Sequence, residues 1–399
     1  MNFTELVTSN GLFCDGDWIE KKDQDPNGNV RLIQLADIGV CEFKDKSNRF
    51  VTESKAEELH CTYLRKGHIL IARLPDPLGR ACIFPFEGKY ITAVDVAIVR
   101  IARDDVNPKY VMYMINSGGF RAEIKKYESG TTRKRISRKN LDKIEFDLPS
   151  LTAQNRIVAR IEELFSELDN GVETLRKTKQ QLAVYRQAVV KSVLDTYCND
   201  VKTTKIGDVC HDVKVGIVIK PTQYYVQSGG VRAFRNANVR RNYIEDDDWA
   251  MISLEGHQKN ARSEVHTGDV LIARSGVNLG MASAVPEQYD GYNAIDVVIA
   301  VPKQELILPR YLAYYTNSPY GISSVKRNQR GVAQGHLNIT VYGKLPIMLP
   351  EIKVQETIIR EIDARLSACD SIEKTVDTAL QQAEAMRQSI LKKAFEGRL

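Results

Sequence analysis

The chain lacks most of the signatures by which a sequence declares a reaction. There is no G-x-x-x-x-G-K-[ST] loop and no G-x-G-x-x-G after a strand, so neither usual phosphate cradle is encoded. Its seven cysteines (Cys14, Cys41, Cys61, Cys82, Cys198, Cys210, Cys369) are odd in number, scattered and without a C-x-x-C pair. That excludes a disulfide framework or zinc knuckle and predicts free thiols in a reducing compartment. The neighbours His60-Cys61 and Cys210-His211 lack the spacing of a tetrahedral site, so no metal is expected. No apolar run reaches the ~18 residues of a membrane helix, because the best candidate, Ile91 to Ile101, is interrupted by Asp95 and Arg100. Met1 to Glu5 show no basic stretch leading into an apolar one, so export is not signalled and a cytoplasmic location is the expectation.

What is present is ordinary in bulk. With 399 residues, 43% hydrophobic and 27% charged, the chain has the composition of two or three folded domains rather than of a disordered or purely fibrous protein. A net charge of +5 leans only mildly toward polyanions, so the placement of charge matters more than its sum.

The main organising feature is a duplication. KGHILIAR at 66 to 73 returns as TGDVLIAR at 267 to 274, 201 residues later. At the same shift Asp95 meets Asp296, Asn116-Ser117 meet Asn317-Ser318, and Leu148-Pro149 meet Leu349-Pro350. Gln154 likewise meets Gln355, and Arg186-Gln187 meet Arg387-Gln388. No gap is needed over about 165 aligned pairs, roughly a fifth of them identical, which is a statement about architecture.

Each copy opens with short strand-like runs, in the first copy Val30 to Ile38, Ile69 to Ala72, Cys82 to Pro85 and Ile91 to Ile101, followed by a short helix near Pro108 to Asn116. From Thr152 to about Leu194 apolar residues recur at three- and four-residue steps, and the pattern returns from Ile358 to Ala394, with Pro350 before it and Gly397 after it. About forty helical residues span on the order of 60 Å, more than a small domain needs, so the two helices are expected to pair. The expected fold is α+β: strand-rich domains at 1–149 and 199–349, helical spacers at 150–198 and 350–399, and an antiparallel coiled coil that makes a pseudo-twofold dumbbell.

Several enzyme readings fail on inspection. Asn107-Pro108-Lys109-Tyr110 lacks the second proline of an N-P-P-Y/F element and reads as a helix start. Glu351-Ile352-Lys353 has nuclease-like E-x-K spacing, but its repeat partner is Ser150-Leu151-Thr152, and it also reads as a helix start. Asp95 and Asp296, matched acids within apolar strands, read as structural hydrogen-bonding groups.

Basic residues cluster at one place in both copies. In the first, Lys125, Lys126, Arg133, Lys134, Arg135, Arg138 and Lys139 surround Gly130, against Glu128 alone. In the second, Lys326, Arg327, Asn328, Gln329 and Arg330 precede Gly331, Gln334 and His336. Lysine and arginine beside a glycine turn suit phosphates, and Arg, Asn and Gln offer bidentate contacts to base edges. The turns after the two "LIAR" strands, Arg73 to Arg80 and Arg274 to Gly280 with Asn278 in it, and the run Arg235, Asn238, Arg240 are secondary candidates. Because Arg133-Lys134-Arg135 align with Gln334-Gly335-His336, the two domains should not read the same bases.

The "LIAR" strands, the Leu-Pro-x-x-x-x-Gln entries at Leu148 to Gln154 and Leu349 to Gln355, the Tyr185-Arg186-Gln187 helix end and the tail Leu391 to Leu399 together resemble the specificity (S) subunit of type I restriction–modification systems, over essentially the whole chain. The first copy departs from the Gly-x-x-Gln of the second, carrying Gly130-Thr131-Thr132-Arg133. The resemblance implies two target-recognition domains binding two double-stranded DNA half-sites across a gap of unread bases. It implies no catalytic site and no cofactor on this chain. It also implies docking of two adenine-N6 methyltransferase subunits, which use S-adenosylmethionine, and through them of restriction subunits that use ATP and Mg. The alternative is a coiled-coil adaptor with two protein-binding domains, which predicts apolar rather than basic matched loops.

Overall fold

The computed structural model describes every residue except Ser9, Asp76, Thr132, residues 330 to 335 and Leu399, and every described side chain except those of Asn328 and Gln329. The chain divides into two units, Met1–Leu175 with Asp377–Leu399, and Arg176–Val376. Each unit holds one strand-rich body, the first part of the long helix that follows it, and the last part of the other long helix.

The body of unit 1 is built on a four-stranded antiparallel sheet in the order Leu12–Asp15, Val96–Arg100, Ile69–Ala72, Ala81–Ile83. Ile69–Ala72 is buried at every residue, which explains a continuous apolar run in place of an alternating one. Unit 2 repeats the order with Cys210–Val215, Val297–Pro302, Val270–Ala273 and Ala282–Ala284. The registers match, since Leu70 faces Ile98 as Leu271 faces Ile299. A second, three-stranded sheet in each unit carries the Val30–Ile33 or Val231–Phe234 strand at its centre.

The helix Pro108–Asn116 forms as its sequence predicts, with Asn107 capping it through Lys109 N at 2.9 Å and Pro108 in the first turn. The Ile91 to Ile101 run is instead two strands, Tyr90–Thr92 and Val96–Arg100, which join different sheets. Asp95 and Asp296 therefore lie in the turn before a strand, not inside one, and Asp296 takes a left-handed φ of 53° there.

Two amides seen in both copies fix this arrangement. Asn116 is fully buried and behaves as an extra strand residue: its Oδ1 accepts from Ala81 N at 3.1 Å and its Nδ2 donates to Ala81 O at 2.8 Å. Asn317 does the same to Ala282, at 3.0 and 2.7 Å. Gln154, also fully buried, accepts from Asn107 N and donates to Asp105 O and Pro149 O. Gln355 repeats all three bonds with Leu308 N, Leu306 O and Pro350 O. Each glutamine thereby ties the first turn of a long helix to the loop that begins the body's helix.

The long helices run Leu151–Cys198 and Ile352–Phe395. Within unit 2, Arg186 Nη2 lies 2.8 Å from Glu373 and Tyr197 OH donates to Glu361 at 2.8 Å. One number rises as the other falls, so the two segments are antiparallel. Within unit 1, Arg387 pairs with Asp169 and stacks 5.0 Å from the Phe165 ring centre. Val158, Ile161 and Phe165 share one core with Ile390, Leu391 and Ala394 and with Phe3, Val111 and Ile115 of the body. Full burial of each of the larger side chains here contributes about 1.5–3 kcal/mol. Among the described residues no helix is long and apolar enough to cross a membrane.

Candidate nucleic-acid interface

In unit 1 the basic segment follows the helix Gly118–Lys126 and is pinned at its far end. Ile136 is buried and donates its backbone N–H to Arg73 O at 3.1 Å, just past the strand Ile69–Ala72. Ser129 and Arg135 exchange backbone hydrogen bonds at 2.9 Å, closing the loop around Gly130, whose φ of 98° is left-handed. Between these ties Arg133, Lys134 and Arg135 are exposed. Lys126 meets Glu123 at 2.7 Å and Lys134 meets Glu128 at 3.0 Å, surface pairs that polyanion binding can displace. Among the described residues Lys125, Arg133, Arg135 and Lys139 have no ion-pair partner. Arg138 differs from all of these: its guanidinium lies 5.6 Å over the Phe13 ring centre, donates to Phe13 O at 3.3 Å, and has Nε 3.5 Å from Asp15 Oδ2.

Unit 2 repeats the staple, with buried Leu337 donating to Arg274 O at 2.8 Å. Lys326 and Arg327 are exposed at the end of the helix Pro319–Gln329, and His336 is exposed beside Leu337. Arg330 and Gln334 lie outside the described residues, as does the side chain of Asn328.

The secondary candidates are largely structural, contrary to what their residue types suggest. Arg80 is buried, and its guanidinium donates to Ile38 O (2.7 Å), Leu35 O (2.8 Å), Leu74 O (3.0 Å) and Pro77 O (3.1 Å), bolting two loops together. A guanidinium so committed is not available to DNA, which corrects the expectation for Arg80. In unit 2 the same junction is closed by Asn278, buried and donating to Asn236 O, and by Asn236, which bonds Arg274 N, Ser275 and Asp296 O. Asn238 is buried too, its amide spent on Arg235 N, Glu245 O and Asp247 O. Arg73 is held by Val94 O and Asp15, and Arg274 by Asp296 at 3.2 Å. Arg235 meets Asp248 at 2.7 Å and Arg240 meets Glu245 at 3.6 Å, so the acidic run after them offsets their charge. Among the described candidates, the exposed positive charge therefore lies on the segment around Gly130 and at Lys326-Arg327.

Phe13 and Asp15 are the residues sequence reasoning missed. Leu12–Asp15 is a four-residue strand without clear alternation, and its match to the second copy, Phe13 to Val213 and Asp15 to Val215, follows from the sheet register and not from the 201-residue spacing.

Among the described residues no group of three or more His, Cys, Asp or Glu is placed to hold a metal. Burial pushes the Cys41, Cys82 and Cys210 thiols up to about 12, far from nucleophilic thiolates. A cavity of about 590 Å³ in unit 2, lined by Tyr243, Tyr289, Pro309, Tyr314 and Ile359, is mainly apolar.

Comparison with known proteins converges on one family. The family model described as Type I restriction modification DNA specificity domain matches twice, over residues 9–182 and 199–382. The chain is 26% identical over 326 residues to the type I restriction enzyme EcoBI specificity subunit of Escherichia coli, covering 76% of this chain and 68% of that protein. It is 22% identical over 311 residues to the EcoKI specificity subunit of Escherichia coli (strain K12), covering 73% and 65%. The matches thus span about two thirds of the length of these curated relatives. A chain from a solved type I R-M system, studied for complex assembly and conformational transition, superposes with a TM-score of 0.68 at 15% identity, over 98% of this chain and 99% of that one. Two family domains in tandem, each a strand-rich body continuing into a long helix, place this chain in the type I restriction–modification specificity subunit family.

Proposed function

We propose that the chain is the sequence-reading, non-catalytic subunit of a type I restriction–modification complex. It binds two unlike double-stranded DNA half-sites separated by unread bases, one through each strand-rich body. It positions two adenine-N6 methyltransferase subunits, and through them the restriction subunits, and works in the cytoplasm. S-adenosylmethionine, ATP and Mg belong to those partners, and this chain holds no cofactor of its own.

The observation that carries this reading is the pair of basic segments at equivalent places, each stapled to a strand end by one backbone bond, Ile136 to Arg73 O and Leu337 to Arg274 O. A shared frame presenting different side chains is what two unlike half-sites require. Phosphate contacts by the exposed lysines supply affinity, and arginine contacts to base edges supply choice.

The test is a genome-wide map of N6-methyladenine in cells with and without the gene. A gapped two-part motif that vanishes with the gene supports the proposal and names the target. If co-expression with the methyltransferase subunit yields no such motif, the proposal fails and the adaptor alternative takes its place.

A further inference from the structure

We propose that Arg138 is the guanine-reading residue of unit 1 and that Asp15 is its positioning residue. This inference rests on the DNA-reading function proposed above. Among the basic side chains of its segment, Arg138 alone is held on three sides, by the Phe13 ring, by Phe13 O and by the Asp15 carboxylate. Nη1 donates to Phe13 O, and Nε faces the Asp15 carboxylate as an ion pair. Nη2 and the second Nη1 hydrogen have no partner among the described residues, on a side chain 43% exposed. A fork with one end fixed and the other open matches the O6 and N7 acceptors of guanine in the major groove.

Asp15 is itself immobilised. Its Oδ1 lies 3.1 Å from Arg73 Nη1, and Arg73 is anchored in turn to Val94 O at 2.5 Å. The chain Val94–Arg73–Asp15–Arg138 therefore runs from the turn before the sheet's strand to the exposed fork. Lysine at 126 or 134, by contrast, meets one flexible glutamate and has the reach and mobility of a phosphate contact.

Comparison of the two copies separates this device from the frame that carries it. The frame persists: Arg73 corresponds to Arg274, Ile136 to Leu337, and the helix cap Ser137 to Asn338, each making the equivalent bond. The three members of the device all change together: the sheet register sets Phe13 at the place of Val213 and Asp15 at that of Val215, and Arg138 aligns with Ile339. Packing alone would not exchange a carboxylate and a guanidinium together while the backbone staple and the helix cap are kept.

The experiment uses the full chain in complex with its methyltransferase subunits, in competition binding against duplexes carrying every single base change in the recognised motif. Arg138→Lys keeps the charge and removes the fork. It is expected to lower discrimination roughly tenfold to hundredfold at one G·C pair in one half-site, leaving the other half-site strictly read. Asp15→Asn is expected to relax the same pair, and Arg133→Lys none. The intact half-site serves as the control for folding. Unchanged discrimination in Arg138→Lys, or an even loss across all duplexes, overturns the inference. Relaxation at a different pair in Asp15→Asn overturns the positioning role. If the unsubstituted complex shows no gapped motif, the functional reading fails first and this inference falls with it.

Discussion

Arg186 Nη1 lies 2.6 Å from Asp370 Oδ1 in unit 2, and the residues one repeat away with the helices exchanged, Arg387 and Asp169, form the same ion pair in unit 1. The duplicated Arg-Gln dipeptide near the end of each long helix is thus a pairing element between the helices. Because Asp370 is largely exposed, coupling measured by a double-mutant cycle of Arg186→Ala and Asp370→Ala should be modest, about 0.5–1 kcal/mol in chemical denaturation. Exchanging the two residues should recover most of it.

Gln154→Ala should cost about 2–3 kcal/mol, because Asp105 O, Pro149 O and Asn107 N are all left without a buried partner. Gln355→Ala should cost a similar amount in unit 2, and the two costs should add, since the two glutamines share no partner. Gln154→Glu should be no better, as a carboxylate would face two carbonyl oxygens. Urea titrations of the three variants check this.

Lys126→Ala, Arg133→Ala and Arg135→Ala should each flatten the salt dependence of DNA binding, by about 0.9 in the log–log slope for each phosphate no longer neutralised. Arg80→Ala should behave in the opposite way. It strips four carbonyls of their donor and should lower stability by about 3 kcal/mol or more, with the salt slope of the folded fraction unchanged. Titrations at several salt concentrations, beside melting curves, separate the two classes.

His68 and Asp269 occupy the same repeat position, and both are buried acceptors for the backbone N–H three residues earlier, Arg65 N at 3.2 Å and His266 N at 2.9 Å. Burial pushes His68 down to about 4, so between that value and its ordinary 6.5 only the unfolded chain takes the proton. The stability of unit 1 should therefore be fully present above pH 6.5 and fall as pH drops toward 4, by on the order of 2–3 kcal/mol at most. Asp269 is raised by burial and acts with the opposite sign, losing stability as pH rises through its own range. His68→Asn keeps the acceptor without the titration, so the difference between its pH–stability curve and that of the unsubstituted chain should isolate the histidine. A difference that is flat from pH 7.5 to 5 would refute this assignment.

The repeat made the scaffold legible because it doubled every observation. Asn116 and Gln154 stood out through Asn317 and Gln355, and each proved to be a buried amide with the same bonds in both copies. The surface loops were harder. Arg80, Asn238 and Asn278 have the chemistry of base readers, and a sequence gives residue type without direction. Burial turned all three inward, where a loop's unpaired carbonyls need donors. A signal did exist for Arg80: its counterpart Met281 cannot contact a base edge by hydrogen bonds, so the position was not a shared reading site. Phe13 and Asp15 went unread because their strand is short and their partner Arg138 is remote in sequence.

The core of unit 1 is completed by Ile390, Leu391 and Ala394, packed with Val158, Ile161 and the residues around Phe3. During synthesis, then, the first body leaves the ribosome with one wall of its core missing, and closes it only when translation has reached the last turns of the second long helix. Chains that stop early would carry an open apolar groove on an otherwise formed body, the kind of surface that chaperones and proteases recognise.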